Sequence, residues 1–164
     1  MSKKISYAGI LLAINIILLS LLNFIPMNTL FLMALASLSL SIIIMEFGPK
    51  TGGVFYLASV ILSFIIMSNK IHWVIYSFTF GLYGLIKYII ESDRPMVLEY
   101  ILKIIFANIV ILLTYIILKP FVYVPINIFS ILLFEVIFLI YDRAYSMFIE
   151  YYNDKLIKII KINK

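Results

Sequence analysis

A carboxylate and a carboxamide stand near the middle of long apolar runs, Glu135 in one and Asn108 in another. Polar groups at that position are costly in hydrocarbon, so each reports either a partner or a reaction. If the two runs form adjacent antiparallel helices, Asn108 and Glu135 meet at mid-depth. A hydrogen bond between them then lowers the burial cost, and a substrate or proton site is the competing reading. Glu135 and Asp142, seven apart, share a helix face and extend an acidic stripe. A second concentration gathers His72, Trp73, Tyr76, Tyr115 and Asn127 with Asn23, Asn28, Asn69 and Tyr123 near the ends of several apolar runs. Ring faces, amides and one imidazole suit a small polar organic ligand, and they equally suit an interfacial belt. Covalent and metal chemistry is poorly provided for. There is one histidine and no cysteine, which removes two-histidine metal motifs and thiolate sites. No nucleotide-binding glycine loop or nucleophile elbow occurs. An enzyme is therefore not expected, no cofactor is implied, and an intramembrane carboxylate enzyme using Glu135 is the remotest alternative.

The elements that must position these groups follow from composition. Of 164 residues, 65% are hydrophobic and 13% charged, and mean hydropathy is +1.15. Soluble domains carry about 25% charged residues, so an ordinary water-soluble domain is excluded. A bilayer core about 30 Å thick takes roughly 20 helical residues. Six such stretches are expected, at residues 5–25, 30–47, 51–68, 71–90, 96–118 and 122–141. Continuous rather than alternating apolarity excludes a porin-like barrel. Pro26, Pro49, Pro95, Pro120 and Pro125 all fall at or beside the gaps, where a missing N–H does least harm. With the N-terminus inside, Lys3, Lys4, Lys50, Lys87, Arg94, Arg143, Lys155, Lys158, Lys161 and Lys164 flank the cytoplasmic side, against Lys70 and Lys119 outside. That asymmetry predicts both ends inside a bacterial cytoplasmic membrane. The first stretch is too long for a signal-peptide core and lacks a small-residue cleavage site, so it reads as an uncleaved span.

The fourth stretch presents two stripes. Tyr76, Phe80, Tyr83 and Lys87 form one, suited to lining a cavity or to core packing; Ser77, Gly81 and Gly84 form the other, suited to close helix contact. Lys87 pairs by spacing with Glu91, and Lys103 with Glu99. Residues 142–164 are expected to form a cytoplasmic basic tail in which Lys155, Lys158, Lys161 and Lys164 recur among isoleucines and leucine. Such an amphipathic segment attracts anionic lipid, or serves only as a topology anchor. Nucleic acid is not an expected partner of so short a membrane-tethered run.

Two short segments, with the six-span layout, resemble the substrate-binding S components of energy-coupling-factor vitamin transporters. Ala8-Gly9-Ile-Leu-Leu-Ala13 contains a small-xxx-small pair, and Phe47-Gly48-Pro49-Lys50-Thr51-Gly52-Gly53 is similar to the turn between the second and third spans of that family. The resemblance implies an S-component-like bundle that captures a micronutrient near His72, Trp73, Tyr76, Tyr115 and Asn127. It further implies that Gly9 and Ala13 dock a transmembrane coupling subunit driven by two ATPase subunits, with no hydrolysis by this chain. The connections at residues 26–29 and 68–70 are tighter than such proteins usually carry over a ligand. A structural membrane scaffold of the cell-shape MreD type has a similar size and layout and is the alternative.

Overall fold

In a computed structural model, the structure describes residues 2–92, 94–122 and 127–156, and among them every regular element is a helix. Helix α1 (Ser2–Ser20) tightens into a 3₁₀ turn at Leu21–Asn23; a second such turn, Pro26–Asn28, leads into α2 (Thr29–Phe47). Helix α3 spans Pro49–Ile66, α4 Lys70–Ile90 and α5 Met96–Leu118. Helix α6 is Ile128–Tyr151 and continues as a wide π turn at Tyr152–Leu156. Five helices, Lys3–Asn23, Thr29–Phe47, Pro49–Ile66, Lys70–Ile90 and Met96–Leu118, are long and apolar enough to cross a membrane. The chain is an all-α membrane protein.

The first five observed helices lie close to the expected stretches, with one instructive shift, and the sixth does not match its expected bounds. The third starts at Pro49 rather than residue 51, because proline is pre-organised for the first helical position and loses no hydrogen bond there. Gly48 alone separates α2 from α3, and its φ of +84° is a backbone state that a side chain would strain. The expected sixth span, 122–141, falls partly on residues 123–126, outside those described. Helix α6 begins at Ile128 and passes position 141 without a break. Its apolar part, 128–141, is about 21 Å long at 1.5 Å per residue.

The chain divides into two compact units, Met1–Pro125 and Ile126–Lys164. In the first, α1, α2 and α3 pack on one another and α4 packs against α2 and α3, with α5 alongside α4. Leu11, Leu40, Ile43, Ile44 and Phe55 form a buried cluster toward the end that carries Lys3 and Gly48, flanked by Tyr7, Phe47 and Leu85. Close approach there depends on Gly52, where an added Cβ would stand 2.5 Å from Ile44 Cγ1. Ile10, Ile14 and Ile17 of α1 and Ile105, Ile109 and Leu112 of α5 are exposed, the faces a hydrocarbon solvent covers at no cost. In the second unit, Asn127 caps α6 by accepting from Ser130 N–H at 2.7 Å. The Tyr141 and Tyr145 rings meet edge to face along the same helix, 5.7 Å apart.

Candidate functional site

Helix α4 begins where the Asn69 side chain accepts from Ile71 N–H at 2.9 Å, an N-cap that uses the residue type best suited to it. Nearly two turns on, at Tyr76–Phe80, the helix widens into a π turn, with Gly81 N–H donating to the Tyr76 carbonyl. Such single wide turns insert one residue and frequently mark functional places in a helix. Gly81 leaves room at this turn: a Cβ there would stand 3.1 Å from the Tyr76 carbonyl and 3.3 Å from the tyrosine ring, closer than side chains usually pack.

The wide turn sets the Tyr76 side chain, 1% exposed, into the middle of the first unit. Asn15 Nδ2 donates to the Tyr76 hydroxyl at 3.0 Å and to the Ala36 carbonyl at 2.7 Å. The hydroxyls of Ser59 and Tyr76 share a hydrogen bond of 3.1 Å. Residues of α1, α2, α3 and α4 thus converge on one joint, each within about one helical turn of its helix's midpoint. Around it, Tyr56 donates to the Ser77 carbonyl at 3.0 Å and Ser77 to the Trp73 carbonyl at 2.8 Å. The joint is neutral throughout and its donors are matched to acceptors, as burial requires. It orients helices; it holds no charged acid or base with which to move a proton. Asn15 and Ser59 are missed by the sequence reading. The signal for Asn15 was present, a single amide inside the apolar run Ile10–Leu19.

The expected ligand residues separate into different surroundings. Tyr76 is interior, held by Asn15 and Ser59. Trp73 is half-buried: its indole N–H donates to the Val60 carbonyl at 2.9 Å, and its ring meets Phe64 edge to face at 4.9 Å. His72 is half-buried on the same turn. Tyr115 is half-buried on α5, with the Lys119 ammonium 5.8 Å from its ring centroid. Asn127 belongs to the second unit, where it caps α6. Tyr123 lies outside the described residues. The neighbouring amides serve the backbone: Asn23 donates to the Ile66 carbonyl and accepts from Ser68 N–H, both at 3.0 Å, tying the end of α1 to the α3–α4 turn. Of the other expected pair, Asn108 is exposed on α5 and donates to the Ile104 carbonyl of its own helix at 3.0 Å, while Glu135 is half-buried on α6 in the second unit. Gly9 and Ala13 are exposed, and nothing lies within 4 Å of a Cβ built on Gly9.

Charge collects at the far end of α4. Glu91 Oε1 stands 2.5 Å from both Lys87 Nζ and Lys103 Nζ. The lysines are 1% and 4% exposed, and the Glu91 side chain is 32% exposed. The Lys87–Glu91 pair matches its spacing. Lys103, matched by spacing to Glu99, turns instead toward Glu91, because α5 lies against α4 and the interhelical carboxylate is at hand. Both stripes of α4 are buried, the aromatic one ending on Lys87. Among the described residues no group of three or more His, Cys, Asp or Glu side chains is placed to hold a metal ion.

These features define an all-α membrane protein with a neutral polar joint at the centre of its first four helices and a shared ion pair at one end. Comparison of the chain with protein-family models, curated proteins and solved structures finds no match.

Proposed function

We propose that this chain is the membrane-embedded recognition subunit of a micronutrient uptake transporter in a bacterial cytoplasmic membrane. It spans six times with both ends on the cytoplasmic side, and a separate transmembrane subunit with two ATPases supplies the energy. One observation carries the reading: α1 turns Leu11, Asn15 and Leu19 into the bundle and leaves Gly9 and Ala13 outward with open space beside Gly9. Small residues facing lipid allow another helix's backbone to approach closely. The resemblance of that segment to the docking helix of S components supplies the identity of the partner. The solute site is proposed at His72, Trp73, Tyr76, Tyr115 and Asn127. The basic tail, whose Lys158, Lys161 and Lys164 lie outside the described residues, is proposed to rest on anionic lipid.

A scaffold of the MreD type is favoured by a different observation. Tyr76, Asn23 and the Trp73 indole spend their polar atoms on internal hydrogen bonds, which leaves less for a solute. Purification from the native host separates the two. A transporter subunit brings an ATPase module with it, loses that module in Gly9→Leu/Ala13→Leu while still inserting, and carries a small molecule detectable by mass spectrometry. A scaffold brings cell-wall proteins and no solute. Absence of an ATPase module from the wild-type preparation overturns the transport reading.

A further inference from the structure

On the lipid-facing flank of α3, beside the start of α4, lies a groove of about 440 Å³ lined by Val60, Ile61, Phe64, Ile65 and Trp73. Ile61, Phe64 and Ile65 are exposed along it. The one indole N–H of the lining is already given to the Val60 carbonyl, so the groove offers its occupant carbon alone. At its mouth the chemistry changes abruptly. The Lys70 ammonium stands 4.4 Å from the Phe64 ring centroid and donates to the Phe64 carbonyl at 2.5 Å and the Met67 carbonyl at 2.9 Å. An ammonium has three N–H donors; two are used on these carbonyls, and the side chain is exposed. Val60 lies about 9 Å deeper than the end of α3, at 1.5 Å per residue.

We propose that this groove holds one acyl chain of an anionic phospholipid whose phosphate is bound by Lys70. Hydrocarbon along the helix and a cation with a donor to spare at the membrane surface reproduce the layout of such a lipid. A polar solute would find nothing below Lys70 to hydrogen-bond, and an apolar helix would leave the ammonium without a counter-charge. The inference does not rest on the transport reading, although Trp73 is also among the residues proposed for the solute site; it uses only the bilayer and these side chains.

Trp73 is the single tryptophan of the chain, so its fluorescence reports the groove directly. The full-length protein is reconstituted in phosphatidylcholine bilayers containing increasing fractions of brominated phosphatidylcholine or brominated phosphatidylglycerol, bromine quenching indole on contact. In the wild type the anionic lipid should reach half-quenching at about one-fifth the mole fraction of the zwitterionic one, the preference that one lysine near a phosphate supplies. Lys70→Gln should bring the two curves together and Lys70→Arg keep them apart, with circular dichroism checking the fold. Ile61→Phe, which fills the groove from an exposed position, should weaken quenching by both lipids. Coincident curves in the wild type, or a preference that survives Lys70→Gln, overturn the proposal. So does weak quenching by both lipids that grows as the protein is diluted in lipid, since a second copy of the chain would then be the occupant.

Discussion

The two polar regions of the first unit solve the same problem differently. At the centre, Asn15, Ser59 and Tyr76 are neutral and satisfy one another and the Ala36 carbonyl through hydrogen bonds. At the end of α4, Lys87 and Lys103 are as deeply buried but charged, and they converge on Glu91, which keeps about a third of its side-chain surface exposed. The contrast follows from desolvation. A neutral amide or hydroxyl needs one partner to be tolerated in a dry interior, whereas an ammonium needs a counter-charge. At the end of α4, the carboxylate that the two buried ammoniums share still touches the surroundings.

That contrast can be broken from either side. Glu91→Gln removes the carboxylate that two buried ammoniums share and is expected to have the largest effect, a loss of about 3 kcal/mol in reversible unfolding followed by circular dichroism. Adding Lys87→Met and Lys103→Met to that variant should restore much of the loss, because the two ammoniums that Glu91 neutralises are then gone. Tyr76→Phe, at the neutral joint, should cost about 1–2 kcal/mol by the same measurement. Ser59→Ala should then cost little more in the Tyr76→Phe background than the small change expected of an unlinked serine, since the two groups share one bond. Gly81→Ala forces a methyl against the Tyr76 carbonyl and should cost about 1 kcal/mol. The double substitution Gly9→Leu/Ala13→Leu sharpens the comparison from outside the bundle. It should change stability by less than about 0.5 kcal/mol, so any loss of partner binding can be read as contact rather than unfolding.

Much of the fold was legible because lipid imposes a single demand on a backbone, that its N–H and C=O groups be satisfied within one segment. Continuous apolar runs near 20 residues long, punctuated by prolines, can meet that demand only as helices. The stretches expected at 30–47, 71–90 and 96–118 accordingly agree with α2, α4 and α5 within a residue. The candidate site was harder to read. Asn15 and Asn108 carry the same signal in one dimension, an amide within an apolar run, yet Asn15 is fully buried at a four-helix joint and Asn108 is exposed. Hydropathy cannot separate them, since it ranks residues by depth and not by azimuth. The π turn at Tyr76–Phe80 was equally invisible, because no residue pattern within the run distinguishes a wide turn from the α-helix around it.

The amino-acid sequence by itself determined the solvent, the helical class, the turn at Gly48-Pro49 and the Lys87–Glu91 pair. Each of these depends on residues near one another along the chain or on the bulk free energy of transfer to lipid. Only the tertiary structure decided that Tyr76 faces Asn15 and Ser59, that Lys103 turns to Glu91, and that Lys70 caps a carbon-lined groove at Trp73. Those outcomes depend on how helices rotate about their own axes. In hydrocarbon, that rotation is settled by close packing and interhelical hydrogen bonds, to which the order of apolar residues is nearly indifferent.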